Sequence, residues 1–153
     1  MLLPKSATKI LNEKFEQWRI SGTTAEGYGE DGRIKKQYVD IDSGYYNSDA
    51  VIDYAVMIIV SYNDNEKGCL VSFLSQKTEY HYYEIELFGV FDAPSYVSTV
   101  TKGETVFKEK NIDETIPIIL DRDAISFGYQ EKPGIVYYFD GKKFITYLDS
   151  DGC

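Results

Sequence analysis

Within residues 40–53 stand Asp40, Asp42, Asp49 and Asp53, joined by Asn47, and an apolar run, YAVMIIV, comes immediately after. Oxygen-bearing side chains on a curled loop are what calcium requires, roughly six to eight oxygens in a flexible cage. These five residues are therefore candidate calcium ligands. The competing reading makes Asp40, Asp42 and Asp49 solvated turn formers, with Asp53 bonding backbone amides.

Other residues with chemical potential are fewer. Glu79, Glu84 and Glu86 lie on or beside an alternating stretch, YHYYEIELF. Unbroken alternation puts Glu84 and Glu86 on one face, about 7 Å apart, a spacing that glycoside chemistry can use. Strands commonly carry wet carboxylates, and that reading is the weaker one. His81 is the only histidine and has tyrosines around it, without a nucleophile motif nearby. Cys69 sits in GCLVSF, which reads as a core strand, and Cys153 is the last residue. Two cysteines so far apart do not make a zinc site; they form one disulfide or leave Cys153 as a free thiol. No phosphate-binding loop is present. The chain is read as a non-enzyme.

The elements that position these residues emerge from periodicity. Ile10, Leu11, Phe15 and Trp18 share a face at helical spacing, which predicts a helix over residues 6–18 capped by Ser6. Residues 22–36 are polar, with Gly22, Gly27, Gly29 and Gly32, and read as a loop. Strands come next. Residues 54–62 form a near-continuous apolar run, expected as a central strand buried on both faces. Residues 63–68 read as a turn, 69–74 as the next strand and 80–88 as its partner. FDAPSY reads as a loop, residues 96–100 and 116–120 as short strands. Residues 124–129, 135–139 and 143–148 read as a three-stranded meander, with Asp140-Gly141 as its hairpin signal. The expected fold is α+β, an N-terminal helix packed on a mostly antiparallel, meander-rich β-sheet system, in one domain over residues 1–153. The 14 Tyr and 8 Phe against a single Trp agree, since tyrosine suits a half-buried sheet.

A net charge of −9 repels phosphate backbones and makes nucleic acid a poor partner. It suits a basic protein or a divalent cation. No apolar run is as long as a membrane span, so no membrane insertion is expected. The N-terminal MLLPKSATK lacks the features of a signal peptide, which leaves a cytosolic protein or a mature exported chain without its leader.

The segment NSDAVIDYAVMI resembles the acidic loop of bacterial FG-GAP and VCBS-type repeats, D-x-D-x-D-G-x-x-D with YA and a strand after it. Asn47, Asp49 and Asp53 match the third, fifth and ninth positions, and Tyr54 and Ala55 match the YA. Tyr45 stands at the first ligand position and Ala50 replaces the glycine. LPKSATKILNEKFEQW, NSDAVIDYA and DAISFGYQEKPGIVYYFDGKKFITYLDSD together resemble exported bacterial proteins that carry one degenerate loop of this kind. More weakly, the chain resembles periplasmic immunity proteins, which block a toxin enzyme. The resemblance implies a periplasmic or secreted protein with no assigned enzyme activity. The leading expectation is an exported binding protein that inhibits a basic toxin or envelope enzyme, with Phe91 and Tyr96 beside Pro94 as its partner-binding anchors. The second is a calcium-stabilised structural or glycan-binding module.

Overall fold

The computed structural model describes residues 2–21, 25–28, 34–38, 40–89, 95–129 and 134–149. Among the described residues one short helix, α1 (Lys5–Lys14), is followed by strands only. Ala7 and Leu11, four residues apart, are fully buried and set the helix face. The helix ends four residues sooner than its apolar spacing predicts. Phe15 takes an extended conformation, φ −126° and ψ 131°, and its N–H closes on the Leu11 carbonyl at 2.9 Å. Trp18 then opens β1 (Trp18–Ile20), and its indole N–H reaches back to Asn12 Oδ1 at 2.8 Å. Phe15 and Trp18 fit a helix face and a strand entry equally well, and pairing with the sheet decides it. Ser6 is not the cap either. Pro4 holds that position, with φ −58°, and its carbonyl accepts the Thr8 N–H.

Part of the expected polar loop pairs as a hairpin, β2 (Ala25–Tyr28) with β3 (Ile34–Tyr38). The main sheet is built on β5 (Asp53–Tyr62). One edge of β5 pairs with β4 (Ile41–Gly44) and β1; the other pairs with β6 (Asn65–Gln76), which pairs in turn with β7 (Glu79–Phe88). The β5–β6 turn is tighter than the sequence suggests. Only Asn63 and Asp64 turn, both at positive φ (47° and 68°), the backbone of a two-residue type I′ hairpin.

The second sheet runs β10 (Glu114–Ile119), β9 (Thr105–Asn111), β13 (Phe144–Leu148), β12 (Ile135–Phe139), β11 (Ala124–Tyr129), β8 (Ser95–Val100). Every strand pairing described is antiparallel. The meander β11–β12–β13 stands where the sequence puts it. The described residues are thus mainly antiparallel β with one helix, and they stack in three layers. Val56, Ile58, Val60, Cys69, Val71 and Phe73 pack under α1 on one side of the first sheet. On the other side Ala55, Met57, Leu70 and Leu74 meet Val97, Ile125, Phe127, Tyr137 and Phe139 of the second sheet. Alternation along β5 and β6 supplies both faces, which is why these strands read as continuous apolar runs.

The outer face of the second sheet is also partly covered. Val106 of β9 and Leu120 share a cluster with Ala124 of β11 and Val136 of β12. In a flat sheet β9 and β11, three positions apart, would be separated by about 14 Å. The shared cluster requires the sheet to curl, so that β9 and β10 fold back over it.

Candidate functional site

The acidic loop, residues 45–52, links β4 to β5 where Gly44 pairs with Asp53. Asp53 is fully buried, and both its oxygens are in use. Oδ2 accepts the N–H groups of Tyr46 (2.7 Å) and Asn47 (3.1 Å). Oδ1 accepts the N–H of Ser75 (2.7 Å) and faces its hydroxyl at 2.9 Å. Asn47 donates its side-chain amide to the Ser75 carbonyl at 2.5 Å and accepts the Asp49 N–H on Oδ1. Asp49 accepts the Val51 N–H on Oδ1 and faces the Ser75 hydroxyl with Oδ2 at 2.8 Å. These contacts make a clasp that ties the loop to the end of β6.

The Ser75 hydroxyl has one proton and lies between two carboxylate oxygens. It can donate to only one of them at a time. A proton retained on one carboxyl group would let both oxygen pairs hydrogen-bond. In keeping with this, Asp53 is pushed above the usual carboxylate range, first by burial and in small part by the charge of Asp49.

Beneath the clasp, Tyr46 is fully buried. Its O–H donates to Thr99 Oγ1 (2.7 Å), whose own proton goes to the Ser43 carbonyl (3.0 Å). Burial raises the Tyr46 phenol well beyond its ordinary value, so it stays a donor. Gly44 is needed here, because a Cβ would stand 2.8 Å from the Tyr46 ring. Asp123 joins the loop to the β8–β9 turn by accepting the N–H groups of Tyr45 (3.0 Å) and Lys102 (2.8 Å).

The five candidate calcium ligands do not converge. Asn47, Asp49 and Asp53 meet, but at Ser75 and backbone amides. Asp42 accepts its neighbour Ser43's N–H on Oδ1 (2.8 Å) and pairs with Ala55 along the β4–β5 ladder. Asp40 is buried at the start of β4, where its carbonyl takes the Met57 N–H. Among the described residues no group of three or more His, Cys, Asp or Glu is arranged to hold a metal. The set does not fit a calcium cage. Of the two readings of this loop, Asp53 as a binder of backbone amides is the one its geometry matches.

The carboxylate pair also separates. A β-bulge at the Leu70/Val71 step of the β6–β7 pairing shifts the alternation of β7. Glu84 comes to the helix side, where it takes the Cys69 thiol at 3.5 Å, while Glu86 accepts the Tyr137 hydroxyl on the side of the second sheet. The two do not share a face. Cys69 is a free, buried thiol whose pKa rises to about 12, by burial first and then through Glu84. It is unreactive at neutral pH. His81 is exposed, opposite Leu74. Cys153 and Phe91 lie outside the described residues. Tyr96 is packed in β8 at 7% exposure, which corrects the expectation of an exposed anchor.

Exposed isoleucines stand elsewhere, along one hairpin. The β9–β10 hairpin is held at its base, where Val106, Ile118 and Leu120 enter the outer cluster and Leu120 exchanges backbone hydrogen bonds with Gly103 and Glu104. Gly103, at φ 96°, makes the turn into it. Its only described register pair with the neighbouring β13 is Phe107 with Leu148. Beyond the base it forms an arm. Ile112 at the tip is fully exposed and Ile116 is 40% exposed; Ile119, 72% exposed, pairs with Thr105 at the base, on the hairpin face opposite Ile116. Pro117 on the outer strand removes a donor from that edge and so opposes pairing with another sheet. Residues 116–120 read as a strand and form most of β10, but TVFKEKN is too polar to read as its partner, so the sequence does not single out the arm.

Comparison of the chain with family models, with curated proteins and with solved structures finds no match.

Proposed function

We propose that this chain is a non-enzymatic exported binding protein that blocks a basic protein partner, and that the β9–β10 arm is the element it inserts. The observation that carries this reading is the exposure of Ile112, Ile116 and Ile119 on a hairpin fixed at its base. Isoleucines in water on an ordered hairpin gain free energy when a partner covers them, about 25 cal/mol per Å² of apolar area removed. A preorganised hairpin also loses little conformational entropy on docking. The net charge of −9 supports a basic partner, since opposite charges speed encounter. Export rests on the sequence resemblance. No described helix is long and apolar enough to cross a membrane.

The test is affinity capture by the intact chain from fractionated extract of the source organism, at low and high salt. A partner of high isoelectric point should bind the parent chain, more weakly as salt rises, and should be lost with the double change Ile112→Asp and Ile119→Asp. Recovery of no specific partner at low salt, or equal recovery by the double variant, overturns the proposal.

A further inference from the structure

Among the described residues β7 is the last strand on its side of the first sheet. Its inner side chains rest on β12 and the start of β13. Tyr83 meets the rings of Phe139 and Phe144 at 5.3 and 5.7 Å, and Glu86 accepts the Tyr137 hydroxyl. The second sheet continues past this line through the rest of β13 to β9. Ile135 is two residues from Tyr137, Leu148 pairs with Ile135, and Phe107 pairs with Leu148. Alternation therefore puts all three on the face that looks toward the first sheet. Together with Glu86 and Glu109 they line a groove of about 450 Å³. Ile135 is 40% exposed there.

Two independent features make this edge a docking surface. Every second residue of β7 turns its N–H and C=O away from β6, and no described strand pairs with that side. A strand added there, at the usual spacing of about 4.8 Å, would stand over Ile135, Leu148 and Phe107 and cover them. Charge then selects the occupant. β7 carries Glu79, Glu84 and Glu86 and no Lys or Arg. An acidic edge on a chain of net charge −9 repels a second copy of itself and attracts a basic strand.

We infer that β7 accepts an extended basic segment of another protein as an additional strand of the first sheet. Apolar side chains of the segment cover the groove floor, and its Lys or Arg side chains stand opposite Glu84 on the helix side. Main-chain hydrogen bonds along the edge supply affinity, and the alternation of the segment supplies specificity. This inference goes beyond the reading of the arm and does not rest on it.

The test uses the purified intact chain and a fluorescent ten-residue peptide of five Lys-Val repeats. Anisotropy should show binding at low salt that weakens as salt rises. Five lysines followed by five valines, and five Glu-Val repeats, should bind at least about tenfold more weakly, since the first lacks the alternation and the second the charge. With the alternating peptide bound, amide hydrogens of alternate β7 residues should exchange more slowly by NMR. Glu84→Lys and Ile135→Asp should each weaken binding about tenfold, one by reversing a cross-strand charge pair and the other by placing a charge on the floor. Both residues are exposed, and melting curves establish that the variants are folded. No binding of the alternating peptide, equal binding of the block peptide, unchanged exchange along β7, or unchanged affinity in a folded variant overturns the inference. So does a concentration-dependent dimer whose β7 amides are protected without peptide, which would give the edge to a second copy.

Discussion

At the acidic loop the Asp53 carboxylate is fully buried, and its two oxygens meet three backbone N–H groups and a hydroxyl. At the β9–β10 arm Ile112 is fully exposed, with two more isoleucines on the same hairpin. One region buries what water would solvate and compensates it internally. The other leaves in water what the core would take. The eye goes first to the loop, because carboxylates look like chemistry. Yet a polar group whose every acceptor is occupied by its own chain has little left for a ligand. Uncompensated groups are the better candidates for a docking surface, and the arm's isoleucines are groups of that kind.

The comparison breaks most readily at Asp53. Asp53→Ala leaves three buried N–H groups without an acceptor, and it should lower the unfolding free energy by at least about 3 kcal/mol. Asp53→Asn keeps one carbonyl oxygen and should lose less. Urea unfolding at neutral pH checks both. A loss below about 1 kcal/mol for Asp53→Ala would show that the clasp does not hold the loop.

Much of the architecture was legible, and the failures have physical causes. The central run became β5 because continuous apolar residues need cover on both faces. The Asp140-Gly141 signal held: Gly141 sits at φ 104°, and the Asp140 carboxylate takes the N–H groups of Lys142 and Lys143. The clasp was half legible. Asp53 as a binder of amides was foreseen, but Ser75, 22 positions away, was not. Reading the β5–β6 turn as Asn63-Asp64 fixes the register at Tyr54 with Phe73, and that brings Ser75 to the start of β5. A turn read over residues 63–68 hides this. The bulge in β7 left no trace in the alternation, so Glu84 and Glu86 were placed on one face. Tyr96 looked like an anchor because a proline and a loop precede it, and only pairing with Gly128 shows it packed.

The shared hydroxyl gives the next effect. Ser75→Ala removes the one proton between Asp49 and Asp53 and should cost about 1–2 kcal/mol. The pH dependence carries its own signature. Burial raises the Asp53 carboxyl above the ordinary 3.8, against the hydrogen bonds from Ser75 and Asn47. The folded state therefore keeps a proton at pH values where the unfolded chain has released it. Stability from this source is fully present below the unfolded value and is lost as pH rises through the folded one. The groups facing Asp53 are Asp49 from the loop, Tyr46 beneath it and Tyr80 from β7. Asp121 and Asp140 act in the opposite sense. A hydrogen bond from Tyr138 lowers the first, and the backbone N–H of Lys143 lowers the second, so what they contribute is lost as pH falls. Comparing the chain with Asp53→Asn separates the two. The stability advantage of the parent should shrink as pH rises from about 4 to about 7. A growing advantage would mean that Asp53 is ionised throughout.

The smallest expected effect is the sharpest test of the arm. Ile112 is fully exposed, so Ile112→Asp removes no buried contact from the folded chain. It should shift the unfolding free energy by no more than about 0.5 kcal/mol, the range of surface substitutions remote from core, cap and buried network. The same change at Leu70, fully buried between the sheets, should prevent folding. Urea unfolding of Ile112→Asp, run beside affinity capture, separates stability from docking. A stable variant that has lost its partner places the anchor at the tip of the hairpin. A loss of about 2 kcal/mol would show that Ile112 packs within its own chain, and the arm would then join the acidic loop as a region whose groups are already spoken for.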